Sequence, residues 1–214
     1  MTSVSSPSGL SLFVVAALIL AVTPGPAVLY IVTRSVSQGR SAGIVSCAGV
    51  ACGGLVHVAA AAFGLSAILT ASATAFSVVK YAGAAYLVWV GVRKFGHPSV
   101  IQDVDVDAPH SLVHVFRDGV IVNVLNPKTA LFFLAFLPQF VVPARGSVSG
   151  QFLLLGMAFV AIAFCTDTSW CLLASTARTW LRRHPRAVAS ERYVAGCVYV
   201  GLGLAAAVSG SGRK

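Results

Sequence analysis

Six apolar segments, separated by polar or charged connections, follow one another along the chain. They cover residues 10–34, 42–70, 76–92, 113–142, 149–177 and 193–208. A helix needs about 20 apolar residues to cross roughly 30 Å of hydrocarbon, and the segments lack the short alternating pattern that is typical of barrel strands. The pattern therefore predicts an all-α integral membrane protein with six transmembrane helices.

Proline interrupts the first and the fourth of these segments. The interruptions have the sequences Thr23-Pro24-Gly25-Pro26 and Asn126-Pro127-Lys128. Proline lacks a backbone N–H and clashes with the preceding helical turn, so we expect each segment to break into two half-helices. Backbone groups that are freed at membrane depth need partners other than lipid, and such breaks therefore tend to line a cavity. The two breaks predict a transport site.

The composition agrees with a membrane location. Of the 214 residues, 57% are hydrophobic and 10% are charged, and only six are acidic. This leaves too little polar surface to coat a soluble protein of this size. The five cysteines all fall within predicted spans and form no Cys-x-x-Cys pair, so we interpret them as small apolar side chains rather than as a disulfide framework or a metal site.

The net charge of +9 is distributed in a way that indicates membrane orientation, not nucleic-acid binding. Ten of the 15 Lys and Arg residues fall in the first, third and fifth connections, with Arg34 and Arg40 in the first. Basic residues mark the cytoplasmic side of a membrane protein. We expect these three connections to face the cytoplasm and both termini to lie outside.

The chain divides into two similar halves within a single transmembrane domain, residues 1–214. Residues 10–95 form the first repeat and 113–208 the second, joined by a polar linker at 96–112, and aligning the breaks pairs Pro24 with Pro127. Each half has three spans. An odd number of spans places the two copies in opposite orientations, which is the inverted-repeat design of many transporters.

Four motifs along the chain carry a resemblance to a known family. They are Thr23-Pro24-Gly25-Pro26, the glycine-spaced second span that begins Gly39-Arg40-Ser41-Ala42-Gly43, the third-span Gly83-Ala84-Ala85-Tyr86-Leu87, and Asn123-Val124-Leu125-Asn126-Pro127-Lys128. In order and spacing they resemble the LysE/RhtB family of amino-acid exporters, from about residue 10 to residue 208. The resemblance implies export of amino acids or related metabolites across a bacterial cytoplasmic (inner) membrane, driven by the proton motive force.

The residues of the two breaks are the candidate substrate-binding groups. A half-helix that begins after a break presents free amides and a partial positive charge, which suit an amino-acid carboxylate. Thr23 offers a hydroxyl at the first break, and Asn126 is placed to cap the half-helix at the second. Lys128 is costly in an apolar span, roughly 2.5 to 3.5 kcal/mol, so we expect it to face the interior and to bind the substrate carboxylate or an intramembrane acid.

Asp167 and His57 are the candidates for proton coupling or counter-charge. Asp167 is the only carboxylate in the fifth segment, and an intramembrane acid is a candidate proton carrier or a partner for a substrate amine. An ion pair with Lys128 that only holds the bundle together is the competing interpretation. His57 is a candidate proton relay because imidazole titrates near neutral pH; the alternative is a hydrogen-bonded packing residue.

Two other classes of function remain open from the sequence. The linker carries Asp103, Asp105 and Asp107 with His110 and His114 close behind, which keeps an exporter of a divalent metal or another ion as the alternative function. A membrane-embedded enzyme needs a nucleophile and base or a metal set, and no such spacing occurs. We therefore expect no catalytic residues, no cofactor and no resident metal. The expected partners are the substrate and the bilayer, and a homo-oligomer is compatible with the sequence.

Overall fold

The computed structural model describes residues 7–72 and 111–177, together with single positions at 74, 78, 81, 85, 89, 92 and 200. All secondary structure within these residues is helical. The predicted first, second, fourth and fifth segments coincide with helical ranges to within a few residues. The third and sixth predicted spans lie outside the described residues apart from the single positions, each of which is helical.

The first predicted span is two helices with a bend between them. Helix α1 covers Pro7–Val22 and α2 covers Pro26–Gln38, and their axes differ by 49°. Gly25 has an extended backbone and Pro26 is the first residue of α2, the position where a missing N–H costs nothing. The expected break is therefore present.

The second span follows after a one-residue turn. Gly39 has a φ of 91°, a left-handed conformation that glycine adopts without strain, and it joins α2 to α3, Arg40–Ala59. A π-helical segment, Ala60–Leu65, continues directly into α4, Ser66–Ala71. Together they form one long apolar rod.

The fourth predicted span is again a bent pair of helices. Helix α5 covers Leu112–Val124 and α6 covers Pro127–Leu131, which continues through a π-helical turn, Phe132–Phe136, into a 3-10 turn, Leu137–Phe140. The bend measures 43°. Pro127 occupies the same helical position as Pro26, so Pro26, and not Pro24 as the sequence alignment has it, is its structural equivalent.

The last described helix is the longest unbroken one. A short 3-10 turn, Pro143–Arg145, precedes α7, Val148–Thr176. By length and composition, two of the described helices are able to cross a membrane, α7 and the rod that starts at α3, and the number rises to four if each bent pair is one span. Large apolar side chains point outward along these helices, for example Val113 at 77% and Leu125 at 74% exposure, as expected of a lipid-facing surface.

Side-chain contacts define the two ends of the bundle. At one end the Tyr30 hydroxyl of α2 donates to the Val115 carbonyl oxygen of α5 at 2.8 Å. At the opposite end the hydroxyl groups of Ser66 and Ser149 lie 3.0 Å apart, which brings α4 to the start of α7. The end of α2, the start of α5 and the end of α7 therefore lie at the same end of the bundle.

Aromatic side chains fill the bundle between its middle and the Ser66 end. We call this set the aromatic cluster: Phe13, Phe132, Phe133, Phe136, Phe140 and Phe159. The tightest pair stacks with ring centroids 4.2 Å apart, between Phe132 and Phe159. A smaller apolar group lies on the other side of the breaks and contains Cys47 and Cys171, both buried as free thiols, in line with the role as small apolar side chains.

Glycines allow α3 and α5 to pack at close range. A Cβ atom on Gly53 would lie 2.7 Å from the Val120 carbonyl oxygen and 2.9 Å from the Asn123 Cβ. Gly64 on the same rod has nothing within 4 Å of its added Cβ. The two positions form a matched pair, since both lie on helix and only one is in a close interface.

We expect Gly53→Ala to destabilise the protein by about 1 to 3 kcal/mol, the usual cost of overpacking, and to lower its unfolding temperature in detergent. Gly64→Ala should leave that temperature unchanged or raise it slightly. Equal unfolding temperatures for the two variants would contradict the close α3–α5 packing.

Candidate functional site

The two proline breaks, more than 100 residues apart in sequence, contact each other in the structure. Lys128 is 6% exposed, and its Nζ donates a hydrogen bond to the Thr23 carbonyl oxygen at 2.5 Å. Thr23 itself is buried at 5% exposure. The substrate-binding candidates that the sequence placed on two separate segments are therefore in contact, through a hydrogen bond from the lysine to a backbone carbonyl.

At the first break, two helix-terminal carbonyls receive side-chain donors. Pro26 has no N–H to offer the Val22 carbonyl four residues earlier, and this oxygen instead accepts from the Trp170 Nε1 of α7 at 3.3 Å. The next carbonyl, that of Thr23, accepts from Lys128. A cation at the end of a helix also interacts favourably with the helix dipole, so Lys128 closes the end of α1 both by hydrogen bonding and by charge.

At the second break, too, a side chain donates to the carbonyl that the proline leaves without its helical donor. Pro127 leaves the Asn123 carbonyl without its usual donor, and this oxygen accepts from His57 Nε2 of α3 at 2.9 Å and from the Asn126 amide at 3.1 Å. A carbonyl oxygen only accepts, so the His57 Nε2 atom carries a hydrogen. The imidazole also stacks on Phe133 with centroids 5.8 Å apart. These contacts support the packing interpretation of His57.

The donors are exchanged between the two halves of the chain. Helix α3, which follows the first break in sequence, supplies His57 to the second break. Helix α7, which follows the second break, supplies Trp170 to the first. Each long helix therefore stabilises the broken helix of the other half.

The starts of the two half-helices differ in their capping. Asn126 caps α6 through its Oδ1, which accepts from the Lys128 amide at 3.1 Å. The N-cap of α2 is Gly25, which has no side chain to bond the amides of the first turn. The Thr23 hydroxyl donates to the Ile19 carbonyl at 2.6 Å, so its hydrogen is used within the first break.

Asn123 joins the breaks to α3 and was not among the residues predicted from the sequence. Its Nδ2 donates to the Val50 carbonyl at 2.7 Å, and its Oδ1 accepts from the Thr129 hydroxyl at 2.9 Å and from the Asn126 Nδ2 at 3.3 Å. The side chain is 6% exposed, and these three hydrogen bonds use both acceptor sites of its oxygen and one of its two N–H donors. The sequence signal that could have identified it is a second asparagine, one turn before Asn-Pro in an apolar segment.

Asp167 lies beside this network. It is 5% exposed, and within the described part of the chain its carboxylate has no hydrogen-bonding partner and no ion pair within 4.0 Å. Lys128 is near enough to act on it electrostatically. Asp167 and Asn123 line a small cavity of about 20 Å³, which has room for a water molecule but not for an amino acid.

The predicted site residues thus fall around one region in the middle of the bundle. Thr23, Asn126 and Lys128 are in direct contact through hydrogen bonds, and Asp167 is next to them. Among the described residues, no three His, Cys, Asp or Glu side chains are grouped as a metal site. The acidic linker at 96–110 lies outside the described residues.

The sequence matches a known family and several curated relatives. The family model described as LysE type translocator matches residues 18–210. A homoserine/homoserine lactone efflux protein of Salmonella typhimurium is 29% identical over 164 residues, covering 77% of this chain and 79% of the relative. A leucine efflux protein of Klebsiella pneumoniae is 25% identical over 193 residues, covering 89% and 90%. An uncharacterized membrane protein of Pseudomonas aeruginosa is 29% identical over 203 residues, covering 90% and 91%. No solved structure matches the chain.

The role of His57 as a hydrogen-bond donor is testable with two substitutions. His57→Gln keeps an N–H near the Asn123 carbonyl, and we expect wild-type stability and wild-type transport. His57→Leu removes the donor and should destabilise the protein by about 1 kcal/mol, measured as thermal unfolding in detergent. A stable His57→Gln protein without transport would show that the imidazole proton is required, and the relay interpretation would replace this one.

Proposed function

The chain belongs to the LysE type translocator family, and from that membership we propose that it is a secondary transporter that exports amino acids or related small metabolites from the cytoplasm, driven by the proton motive force. The proposal is supported by relatives that are named for the efflux of homoserine, homoserine lactone and leucine. The observation that carries it is the meeting of the two broken helices at Lys128 and Thr23.

The architecture that we propose is six helices in two inverted three-helix repeats within one domain. The repeats cover residues 10–95 and 113–208, with a linker at 96–112. Support comes from the two bent helix pairs, each followed by a long helix, and from the exchange of His57 and Trp170 between the halves. In this design the substrate site lies at the interface of the repeats, and it opens to each side of the membrane in turn.

In the proposed orientation the protein lies in the cytoplasmic membrane with its first, third and fifth connections inside and both termini outside. Support comes from the basic residues of these connections and from the contact between Tyr30 and Val115, which brings the end of α2 and the start of α5 to the same end of the bundle. The aromatic cluster then lies on the outer side of the breaks.

The substrate carboxylate binds at the breaks. The uncapped start of α2 offers backbone amides, and Lys128 offers a charge. In the present conformation the lysine is on the Thr23 carbonyl, so a carboxylate competes with this carbonyl for the ammonium group. A carboxylate is the stronger acceptor, because its full negative charge attracts the ammonium group more strongly than the partial charge of a carbonyl oxygen does. Binding of substrate therefore loosens the contact between the two breaks.

Asp167 receives the substrate amine or the coupling proton. Its carboxylate is buried and lines the cavity beside Asn123. The cavity is too small for an amino acid, so binding requires the helices around it to separate. This requirement links occupancy of the site to a change in the helix bundle, which is what alternating access needs.

Efflux from loaded cells tests the function. We expect cells that express the protein to release labelled leucine, homoserine or another amino acid faster than empty-vector cells, and a proton uncoupler to abolish the difference. If no amino acid in a full panel is released faster than from the control cells, the proposal is refuted.

Substitution of the two ionisable residues tests the site. Asp167→Asn and Lys128→Met should each reduce uphill export at least tenfold while the protein still inserts into the membrane, because a buried charge partner or proton carrier is lost. Asp118→Asn, which removes a partly exposed acid paired with Arg117, is the matched control and should export normally. Wild-type export in both site variants would make these residues structural.

A further inference from the structure

A buried arginine near one end of the bundle has no counter-ion among the residues that the structure describes. The sequence placed Arg34 in the first cytoplasmic connection, but the structure corrects this: Arg34 lies within α2 and is 5% exposed. Removing a cation from water costs several kcal/mol unless an anion compensates it. Its surroundings therefore decide whether it has a structural or a binding role.

The contacts that Arg34 makes within the described chain are few and neutral. Its Nη1 donates to the Gln38 Oε1 at 3.3 Å, and its guanidinium carbon lies 5.5 Å from the centroid of the Tyr30 ring. Its Nε is buried and has no hydrogen-bonding partner within residues 7–72 and 111–177. No carboxylate of the described chain lies within 4.0 Å of it, and the nearby Asp118 pairs with Arg117 at 3.3 Å.

The guanidinium group is held in place, which is what a binding group requires. Tyr30, one turn earlier on α2, is fixed by its hydrogen bond to the Val115 carbonyl of α5, and Gln38 holds the Nη1 side. The Nε donor is the part of the guanidinium group that has no acceptor among the described residues. A carboxylate is the anion that fits a guanidinium edge, because its two oxygens match two parallel N–H donors.

In the proposed orientation, Arg34 lies between the cytoplasm and the breaks. It is eight residues after Pro26, which corresponds to about 12 Å along α2 at 1.5 Å per residue. It is at the end of the bundle where α2 finishes and α5 starts. A substrate that enters from the cytoplasm passes this level before it reaches Lys128.

We propose that Arg34 is an entry subsite that binds the carboxylate of the exported amino acid before the substrate moves to the breaks. The proposal rests on the proposed export function and adds a second carboxylate-binding group to it. The phosphate of an anionic lipid has related chemistry, but the burial of Arg34 inside the bundle favours a ligand that enters the protein.

The test uses inside-out membrane vesicles, whose cytoplasmic face is accessible, and two pairs of probes: leucine with leucinamide, and homoserine with homoserine lactone. The second member of each pair lacks the carboxylate. In Arg34→Gln we expect the KM of the amino acid to rise about tenfold or more, while the inhibition constant of the carboxylate-free analogue stays unchanged. Arg34→Lys keeps the charge and should show a smaller rise. Arg40→Gln, at an exposed arginine of the same end, should match the wild type.

The outcomes separate the two proposals. Uptake of neither amino acid by wild-type vesicles refutes the export function for these substrates. If wild-type uptake is normal and Arg34→Gln raises the KM of the amino acid and the inhibition constant of the analogue equally, Arg34 is structural and the subsite is overturned. If Arg34→Gln does not insert, the Arg34→Lys protein decides by the same comparison. Repeating the assay in proteoliposomes with and without phosphatidylglycerol tests whether Arg34 binds an anionic lipid instead. If Arg34→Gln distinguishes the amino acid from its analogue only when this lipid is present, the subsite is also overturned.

Discussion

Proline breaks within an apolar bundle leave backbone carbonyls that lipid cannot hydrogen-bond, and the rest of this structure follows from how those carbonyls are satisfied. Three side chains supply the donors: Lys128 to Thr23, Trp170 to Val22, and His57 to Asn123. None of them comes from the helix that it stabilises. The two broken helices therefore depend on each other and on α3 and α7, which brings all four to the middle of the bundle.

In the proposed function, the same contacts make the centre of the bundle responsive to a ligand. Lys128 binds a neutral carbonyl in the described conformation, and an anionic ligand offers it a better partner. Asp167 is near this lysine without pairing with it directly. The aromatic cluster closes the bundle on one side of the breaks, and Arg34 lies on the other. In the proposed function, the substrate approaches the breaks from the side of Arg34.

Hydropathy and proline placement predicted most of the described fold. The four spans that the structure describes agree with the sequence within a few residues, because the length of an apolar helix is set by the bilayer and a Pro-Gly-Pro sequence ends a helix by local sterics. The partners of the buried polar residues were not predictable in this way. Lys128 bonds to a backbone oxygen 105 positions away, and Arg34 is buried although it lies toward the end of α2. Such contacts depend on tertiary packing, which leaves no periodic signal in the sequence.

A structure of the protein with a bound amino acid, determined by electron cryomicroscopy in lipid nanodiscs, tests the central claim most directly. The account predicts that the ligand lies between the two breaks, with its carboxylate on the first amides of α2 or on Lys128, and that the Lys128 ammonium no longer bonds to the Thr23 carbonyl. A bound amino acid that is away from both breaks, with the bond from Lys128 to Thr23 intact, would contradict it.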